Sequence, residues 1–512
     1  MTSDAVAVCV DAGTTVIKAV VFDAGGRELA VTRRGTAVAH PTRERSEQDM
    51  GEVWDAVVAT VREAVQRVAR PVRLIALTAQ GDGAWLVDAA GSPVRPAVLW
   101  NDGRAADIVA GWRNEGVLDE AFRTNASLTN AGLPNAVLRV LDVEEPEVLD
   151  RAAAVLTCGS WLLLRLTGVL GIDMSEASAP WLDIGRGTYS DALVALYGLE
   201  HRRDLLPPLI PDSDRVHPLS ADAAAQLGIP AGTPVVLAPF DVVATAVGSG
   251  ATDPGQATSV LGTTLCTETV ITRADTAGEP SGLTLALGRP ERLLRVFPTL
   301  AGTGVIDWAV ALLGLPGPAA LSDLAAQAPP GADGLRMLPY LSPAGERAPF
   351  LDAAASGLLT GATFAHGREH VARAVLEGLA HVIRDCLTAV RSGSAGPTES
   401  AAPADLRLCG GGTASALWCQ LIADVTGVEA VCTEDTEIGA KGALLTALAA
   451  LGDHADVSAA AAALVRERRR FVPDKTVQDL HDAEHAEFLA TRALAAQRWA
   501  HWRATGPGAL HV

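Results

Sequence analysis

No Cys-x-x-Cys pair occurs in the chain, and its seven cysteines (Cys9, Cys158, Cys266, Cys386, Cys409, Cys419 and Cys432) are scattered, several within apolar strand-like or helix-like runs. That spacing excludes a zinc framework and a disulfide scaffold, so they read as buried thiols. No apolar stretch approaches the roughly 18 residues a spanning helix needs, and the opening Met1-Thr2-Ser3-Asp4 carries no basic n-region. A cytoplasmic protein, neither exported nor inserted in a membrane, is the expectation. Positive charge is also scarce: 41 Lys and Arg stand against 60 Asp and Glu, for a net charge of -19, and no basic stripe runs along the chain. Nucleic acid and anionic membranes are therefore excluded as partners, and any polyphosphate must be held locally.

What is present is ample material for cores. At 512 residues with 49% hydrophobic side chains, the chain is too long for one ordinary core, and two large domains are expected. Ala5 to Val10 reads as a buried strand, Asp11-Ala-Gly-Thr-Thr15 as a turn and Val16 to Phe22 as a second strand, with Gly25-Gly26 closing a hairpin. The unit returns in Thr258 to Ile271, where Gly262-Thr263-Thr264 repeats Gly13-Thr14-Thr15 between two strand-like runs. The spacing is far too long for a solenoid, so the chain is read as two duplicated α/β domains, residues 1–247 and 248–512, with the turns facing each other across a cleft. The small-residue stretch Gly248 to Gly255 marks the boundary and a hinge. Helices are expected through Val371 to Val390 and Ser415 to Val425, a surface loop over Ser394 to Pro403, and a C-terminal helix over Asp482 to Arg503 that docks Phe488, Trp499 and Trp502 on the protein.

A glycine turn with paired hydroxyls offers backbone N–H groups and threonine side chains to phosphate oxygens. Only the first copy has an acid before its turn, Asp11, where the second has Val260. Asp11 could hold Mg²⁺ directly or through water; the alternative is a turn-forming Asp at a strand end. Leu406 to Gly412 followed by Thr413 to Trp418 forms a strand, a glycine turn and a helix start, suited to nucleotide binding or to plain βα packing. Asp241 follows the strand-like Pro234 to Leu237 and opens a small-residue helix, either facing the cleft or capping the helix.

Pro339-Tyr-Leu-Ser-Pro-Ala-Gly-Glu-Arg-Ala-Pro-Phe350, with the Glu377-Gly378 helix downstream, resembles the signature of the FGGY family of carbohydrate kinases. The likeness continues through Asp11 to Thr15, Glu47-Gln48-Asp49 with Trp54, Leu99 to Arg104, Leu166 to Gly168 with Asp173 and Ser175, Asp241, Gly262 to Thr264 and Gly410 to Gly412. The resemblance implies an actin-like ATPase (ribonuclease-H-like) fold, with the acceptor bound by the first domain and ATP with Mg²⁺ mainly by the second. By the same transfer Asp241 matches the general base and Asp11 the metal-associated aspartate. Gly13, Thr14, Thr15 and Lys18, together with Gly262, Thr263, Thr264, Gly302 and Gly304, match phosphate-binding positions. Gly411, Gly412 and Ser415 match the adenosine region. Homodimers are frequent in the family.

Acceptor-contacting segments of the family match Thr78 to Gly83 and Trp100 to Arg104, which makes Gln80, Asp82, Gly83, Trp100 and Asp102 the candidate substrate residues. Asp82 and Asp102 could instead cap loops, and Trp100 could be core. D-xylulose kinases usually carry Met-His, and glycerol kinases Arg-Glu, where this chain has Gly81-Asp82. Gly81 removes volume and Asp82 offers acceptors only, which suits an open chain of hydroxyl donors such as erythritol or a pentitol. Gln80 to Gly83 and Asp11 to Lys18 look most like erythritol kinases, whereas Phe240 to Ala246 looks more like L-xylulose kinases, so a ketopentose is the alternative acceptor. Actin-like ATPases of other function, or a sugar-binding regulator with weak turnover, form the alternative of another class.

Overall fold

The computed structural model describes residues 4–393 and 403–505. The chain crosses repeatedly between two compact units. The first comprises Met1–Asp253, Val270–Leu294 and Asp435–Arg466; the second comprises Pro254–Thr269, Arg295–Glu434 and Glu467–Val512.

The first unit is built on six strands: β1 (Val6–Ala12), β2 (Val16–Phe22), β3 (Glu28–Gly35), β4 (Val72–Ala79), β5 (Val216–Pro218) and β6 (Pro234–Leu237), in the order β5-β6-β4-β1-β2-β3. β1 is apolar on both faces, with every residue but Asp11 buried, as a strand covered on two sides must be. The second unit repeats the plan in five strands of a seven-stranded sheet, β7 (Ala257–Leu261), β8 (Leu265–Ile271), β9 (Leu406–Cys409), β10 (Ala430–Thr433) and β11 (Glu467–Phe471), in the order β8-β7-β9-β10-β11. Reading β2-β1-β4-β6-β5 beside β8-β7-β9-β10-β11, the pairings are antiparallel, parallel, parallel and antiparallel in both. The duplication expected from the two Gly-Thr-Thr turns is present strand by strand.

In the first unit the helix Asp241–Ser249 crosses the helix Ile438–Ala450 at backbone contact. A Cβ on Gly248 would lie 1.9 Å from the Ile438 carbonyl oxygen, and one on Gly442 1.8 Å from that of Ala244. Gly248 is therefore required by helix packing and is not part of a linker; the turn follows it, at Gly250 with φ 93°. Lys441, in the second of these helices, is fully buried, donating to the Gly26 carbonyl at 2.6 Å and pairing with Asp435 at 3.1 Å.

In the second unit the helices Arg368–Gly393 and Ala416–Thr426 fall where the apolar spacing places them. The C-terminal helix, Gln478–Thr505, docks with Phe488 and Trp499 each 2% exposed, and Trp499 stacks on Phe350. Residues 394–402 of the expected surface loop lie outside the described residues. All seven cysteines are free thiols, six of them buried. Among the described residues no helix is long and apolar enough to cross a membrane.

Candidate active site

In the first unit Asp11 sits next to last in β1, directly across from Lys18 in β2. Its carboxylate lies 3.6 Å from the Lys18 ammonium, which reaches Glu437 at 2.9 Å; Arg33 also pairs with Glu437. Lys18, expected at phosphate, is thus engaged with two carboxylates of its own unit. Burial raises the Asp11 pKa, Lys18 opposes the rise and Glu437 adds to it.

The turn after Asp11 is tied to the segment after β4. Thr14 donates to Gln80 at 2.7 Å and accepts from the Trp100 indole at 2.9 Å, while Gln80 donates to Gln48 at 3.0 Å. Trp100 is 43% exposed, so its ring is available to a ligand while its nitrogen is fixed. Asp82 takes a left-handed φ of 57°, a conformation Asp tolerates, and Gly83 follows with φ 70°. A Cβ on Gly83 would meet the Val98 carbonyl oxygen at 2.2 Å.

Two expectations are revised here. The volume vacated at Gly81 is not open: a Cβ there would come within 2.3 Å of the Phe240 ring, so the glycine admits the residue that precedes Asp241. Asp102 is 2% exposed, and its oxygens accept from the Ser46 N–H at 2.7 Å and from Arg104 Nε and Nη2 at 2.8 and 2.9 Å. It braces the loop below Trp100 and presents no free oxygen face to a ligand.

Asp241 is the first residue of its helix, with Phe240 as the cap position. Its approach is anchored on three sides. Ala238 N–H donates to the Leu77 carbonyl at 2.9 Å, Thr78 donates to the Pro239 carbonyl at 2.8 Å, and Phe240 N–H donates to Ser175 Oγ at 3.2 Å. Burial first, then the negative charges of Asp11 and Asp82, push the Asp241 carboxyl up to about 7, against the Val242 N–H, which favours the anion. A carboxylate so poised is suited to accept a proton near neutrality. Glu176 was not recognised in the sequence. It is 4% exposed, and burial, then Asp82, then Asp173 and Asp241, hold its pKa well above the ordinary value.

The second unit assembles the other candidates. Thr303 N–H donates to the Gly262 carbonyl at 2.8 Å and Gly304 N–H to that of Thr263 at 3.1 Å, seating the start of the helix Thr303–Leu312 on the Gly262–Thr264 turn. A Cβ on Gly302 would lie 2.5 Å from Thr263 O and Thr264 Cα, which is why a glycine stands there. The adenosine-region glycines join from β9, where Cys409 pairs with Val260. A Cβ on Gly412 would meet Trp418 at 2.4 Å and Leu261 at 2.7 Å, whereas Gly411 faces open space. Ser415 caps the next helix, accepting from the Trp418 N–H at 3.1 Å, and lies 2.8 Å from the Ser322 hydroxyl.

The Pro339 to Phe350 segment supports this turn from behind. Buried Glu346 accepts from Leu300 N–H at 2.7 Å and Ala301 N–H at 3.3 Å, and Arg347 donates to the Pro298 carbonyl at 2.7 Å. These contacts fix the end of the strand Arg289–Pro298, which leads to Gly302. The role is invisible to sequence spacing because the partners lie some 45 residues apart.

Two related α/β units, each with a Gly-Thr-Thr turn, one lined by carboxylates and one by glycines, define a phosphotransferase of the actin-like ATPase fold. Residues 6–248 match the N-terminal domain, and residues 257–451 the C-terminal domain, of the FGGY family of carbohydrate kinases, and the chain belongs to that family. It is 34% identical over 463 residues to the erythritol kinase of Brucella abortus (strain 2308), covering 86% of this chain and 87% of that protein. It is 32% identical over 420 residues to the xylulose kinase of Escherichia coli (strain K12), covering 82% and 84%. The crystal structure of xylulose kinase from Rhodospirillum rubrum superposes with a TM-score of 0.88 at 28% identity, covering 96% of this chain and 99% of that one. The protein is a carbohydrate kinase, and ATP is the phosphoryl donor of its family.

Proposed function

We propose that the protein transfers the γ-phosphoryl group of ATP to a hydroxyl of a small linear polyol, of the erythritol or pentitol class. The observation that carries this reading is the carboxylate group Asp11, Asp82 and Asp241, with Asp241 pushed up to about 7 at the head of its helix. Asp241 takes the proton of the attacking hydroxyl, and its mixed ionisation near pH 7 matches that task. Asp82 and Gln80 orient the acceptor, against the exposed face of Trp100. Because Asp82 only accepts hydrogen bonds when ionised, it suits a substrate rich in hydroxyl donors. The similarity to an erythritol kinase supports the polyol, and that to a xylulose kinase supports a ketopentose as the second acceptor class.

On this reading residues 1–247 bind the acceptor and residues 248–512 bind ATP, through Gly262, Thr263, Thr264, Gly302, Gly304, Gly411, Gly412 and Ser415. The N–H groups of the glycine turns stabilise charge spreading over the transferred phosphoryl. Asp11 fits Mg²⁺. It is a hard oxygen donor, 16% exposed, and this ion usually takes one or two carboxylates with phosphate oxygens and several waters. When bound, the ion neutralises phosphate charge. Lys18, held by Asp11 and Glu437, opposes the rise that burial gives the Asp11 pKa.

The test is ATP consumption, coupled to ADP release, against erythritol, threitol, xylitol, arabinitols, L- and D-xylulose, ribulose and glycerol, with a no-acceptor control. Strong turnover on one tetritol or pentitol supports the polyol reading. Turnover on a ketopentose alone moves the assignment to that class, and no stimulation by any acceptor counts against both.

A further inference from the structure

Behind Asp241 runs a chain of buried polar contacts that the catalytic reading does not use. Arg215, with a side chain only 4% exposed, donates through Nη1 to Asp173 Oδ2 at 2.5 Å and to the Leu237 carbonyl at 2.9 Å. Its Nε donates to Asp212 at 2.5 Å. Asp173, 1% exposed, in turn accepts from both the N–H and the hydroxyl of Ser175, the N–H at 2.8 Å. The Ser175 proton being committed to Asp173, its oxygen is left as an acceptor, and it takes the N–H of Phe240 at 3.2 Å.

Part of this has a local explanation, since Asp173 caps the helix Met174–Trp181 through the Ser175 N–H. Capping does not account for the rest. The Ser175 hydroxyl leaves its own helix to hold the backbone of a residue 65 positions away, immediately before Asp241. Arg215 grips both ends of the arrangement, Asp173 on one side and the end of β6 that leads to Asp241 on the other. A buried guanidinium shared in this way is costly unless every partner is in place, so the geometry it enforces is narrow.

We infer that Arg215, Asp173 and Ser175 form a positioning relay that fixes the backbone of Phe240 and thereby the direction in which the Asp241 carboxylate meets the acceptor hydroxyl. The inference rests on Asp241 being the base proposed above. Orientation is where a small displacement is expensive: a shift of about 1 Å at a reacting group costs on the order of 100-fold in rate. The hydrogen bonds of the relay run to the Leu237 carbonyl and from the Phe240 N–H, so its residues act through Asp241.

The experiment compares Ser175→Ala, Ser175→Thr and Asp241→Asn in the full chain, with ATP and whichever acceptor of the panel above turns over fastest. Ser175→Ala keeps Asp173 and its N-cap but leaves the Phe240 N–H without its acceptor, so the melting temperature falls somewhat while ATP affinity stays near that of the parent. The expected result is a kcat lower by roughly 10- to 100-fold with KM for ATP unchanged, together with a displaced acid limb of the pH profile. Ser175→Thr, which restores the hydroxyl, recovers most of the loss. A Ser175→Ala enzyme with parental kcat and pH profile, beside an inactive Asp241→Asn, overturns the relay and leaves the base assignment standing. Near-normal turnover of Asp241→Asn overturns the base assignment, and the relay with it. A lowered melting temperature with unchanged kcat per nucleotide-binding site assigns Ser175 to stability alone and also overturns the relay.

Discussion

The two Gly-Thr-Thr turns have the same backbone setting and opposite chemistry. Each joins an antiparallel pair, and each leading strand has a parallel neighbour on its other side, β4 beside β1 and β9 beside β7. Asp11 stands opposite Thr78 in one unit and Val260 opposite Cys409 in the other. After β4 the chain continues as Gln80-Gly-Asp-Gly83, and after β9 as Gly410-Gly-Gly412. In the first unit the hydroxyl of Thr14 is tied to Gln80 and Trp100, and three carboxylates surround the site. In the second, the turn is packed by glycines that admit backbone and little else. Duplication supplied two similar strand-turn-strand frames; on the proposed reading, acidic side chains make one suited to moving a proton, and their absence leaves the other to offer N–H groups to phosphate.

If that division of labour holds, the largest effect comes from Asp241→Asn. Loss of a general base costs about 10²- to 10⁴-fold in kcat, and ATP binding, measured by nucleotide titration, is retained because the second unit is untouched. Near-normal turnover would break the comparison at once.

Gly302→Ala probes the other side. The added methyl would lie 2.5 Å from Thr263 O and Thr264 Cα. Overpacking of this kind costs about 1–3 kcal/mol, which, charged to the ATP site, is roughly a 5- to 150-fold rise in KM for ATP. KM for the acceptor should stay at its parental value. An equal rise in both constants would show that the second turn is not dedicated to nucleotide.

Asp82→Asn sharpens the acceptor half. Asn tolerates the left-handed φ of 57°, so the backbone is kept while the charge is removed. A hydrogen bond to a charged group is worth about 1.5–3 kcal/mol, so kcat/KM for the acceptor should fall roughly 10- to 150-fold, with little change in KM for ATP.

Much of this was legible in the sequence because it is local. The strand-turn-strand units, the helix after Gly410 to Gly412 and the position of Asp241 at a helix start all follow from spacing and glycine placement. What was not legible depends on residues that meet only after folding. Spacing cannot show that Glu437 takes up Lys18, that Glu346 braces the strand end before Gly302, or that Phe240 fills the room left by Gly81. The helix Ile438–Ala450 reads as an ordinary apolar segment, yet it belongs to the first unit, where its Gly442 allows contact with Ala244. Asp102 misled for a related reason: an acid in an acceptor-like loop looks free until Ser46 and Arg104 are seen to occupy it.

The smallest and most specific effect is on pH dependence. With the Asp241 carboxyl pushed up to about 7, the base is ionised above that pH and protonated below it, so activity is lost on the acid side. For one ionisation, kcat/KM at pH 6 should be about a tenth of the alkaline plateau. Burial is the largest cause of the shift, Asp11 is the next to raise it, and Asp82 contributes least. Removing the Asp82 charge must therefore move the acid limb to lower pH, by less than about one unit, because burial, the largest cause, remains. Measured on Asp82→Asn with saturating ATP, a limb that moves upward or stays fixed would mean that Asp82 does not act on Asp241 electrostatically, and its role would reduce to acceptor contact.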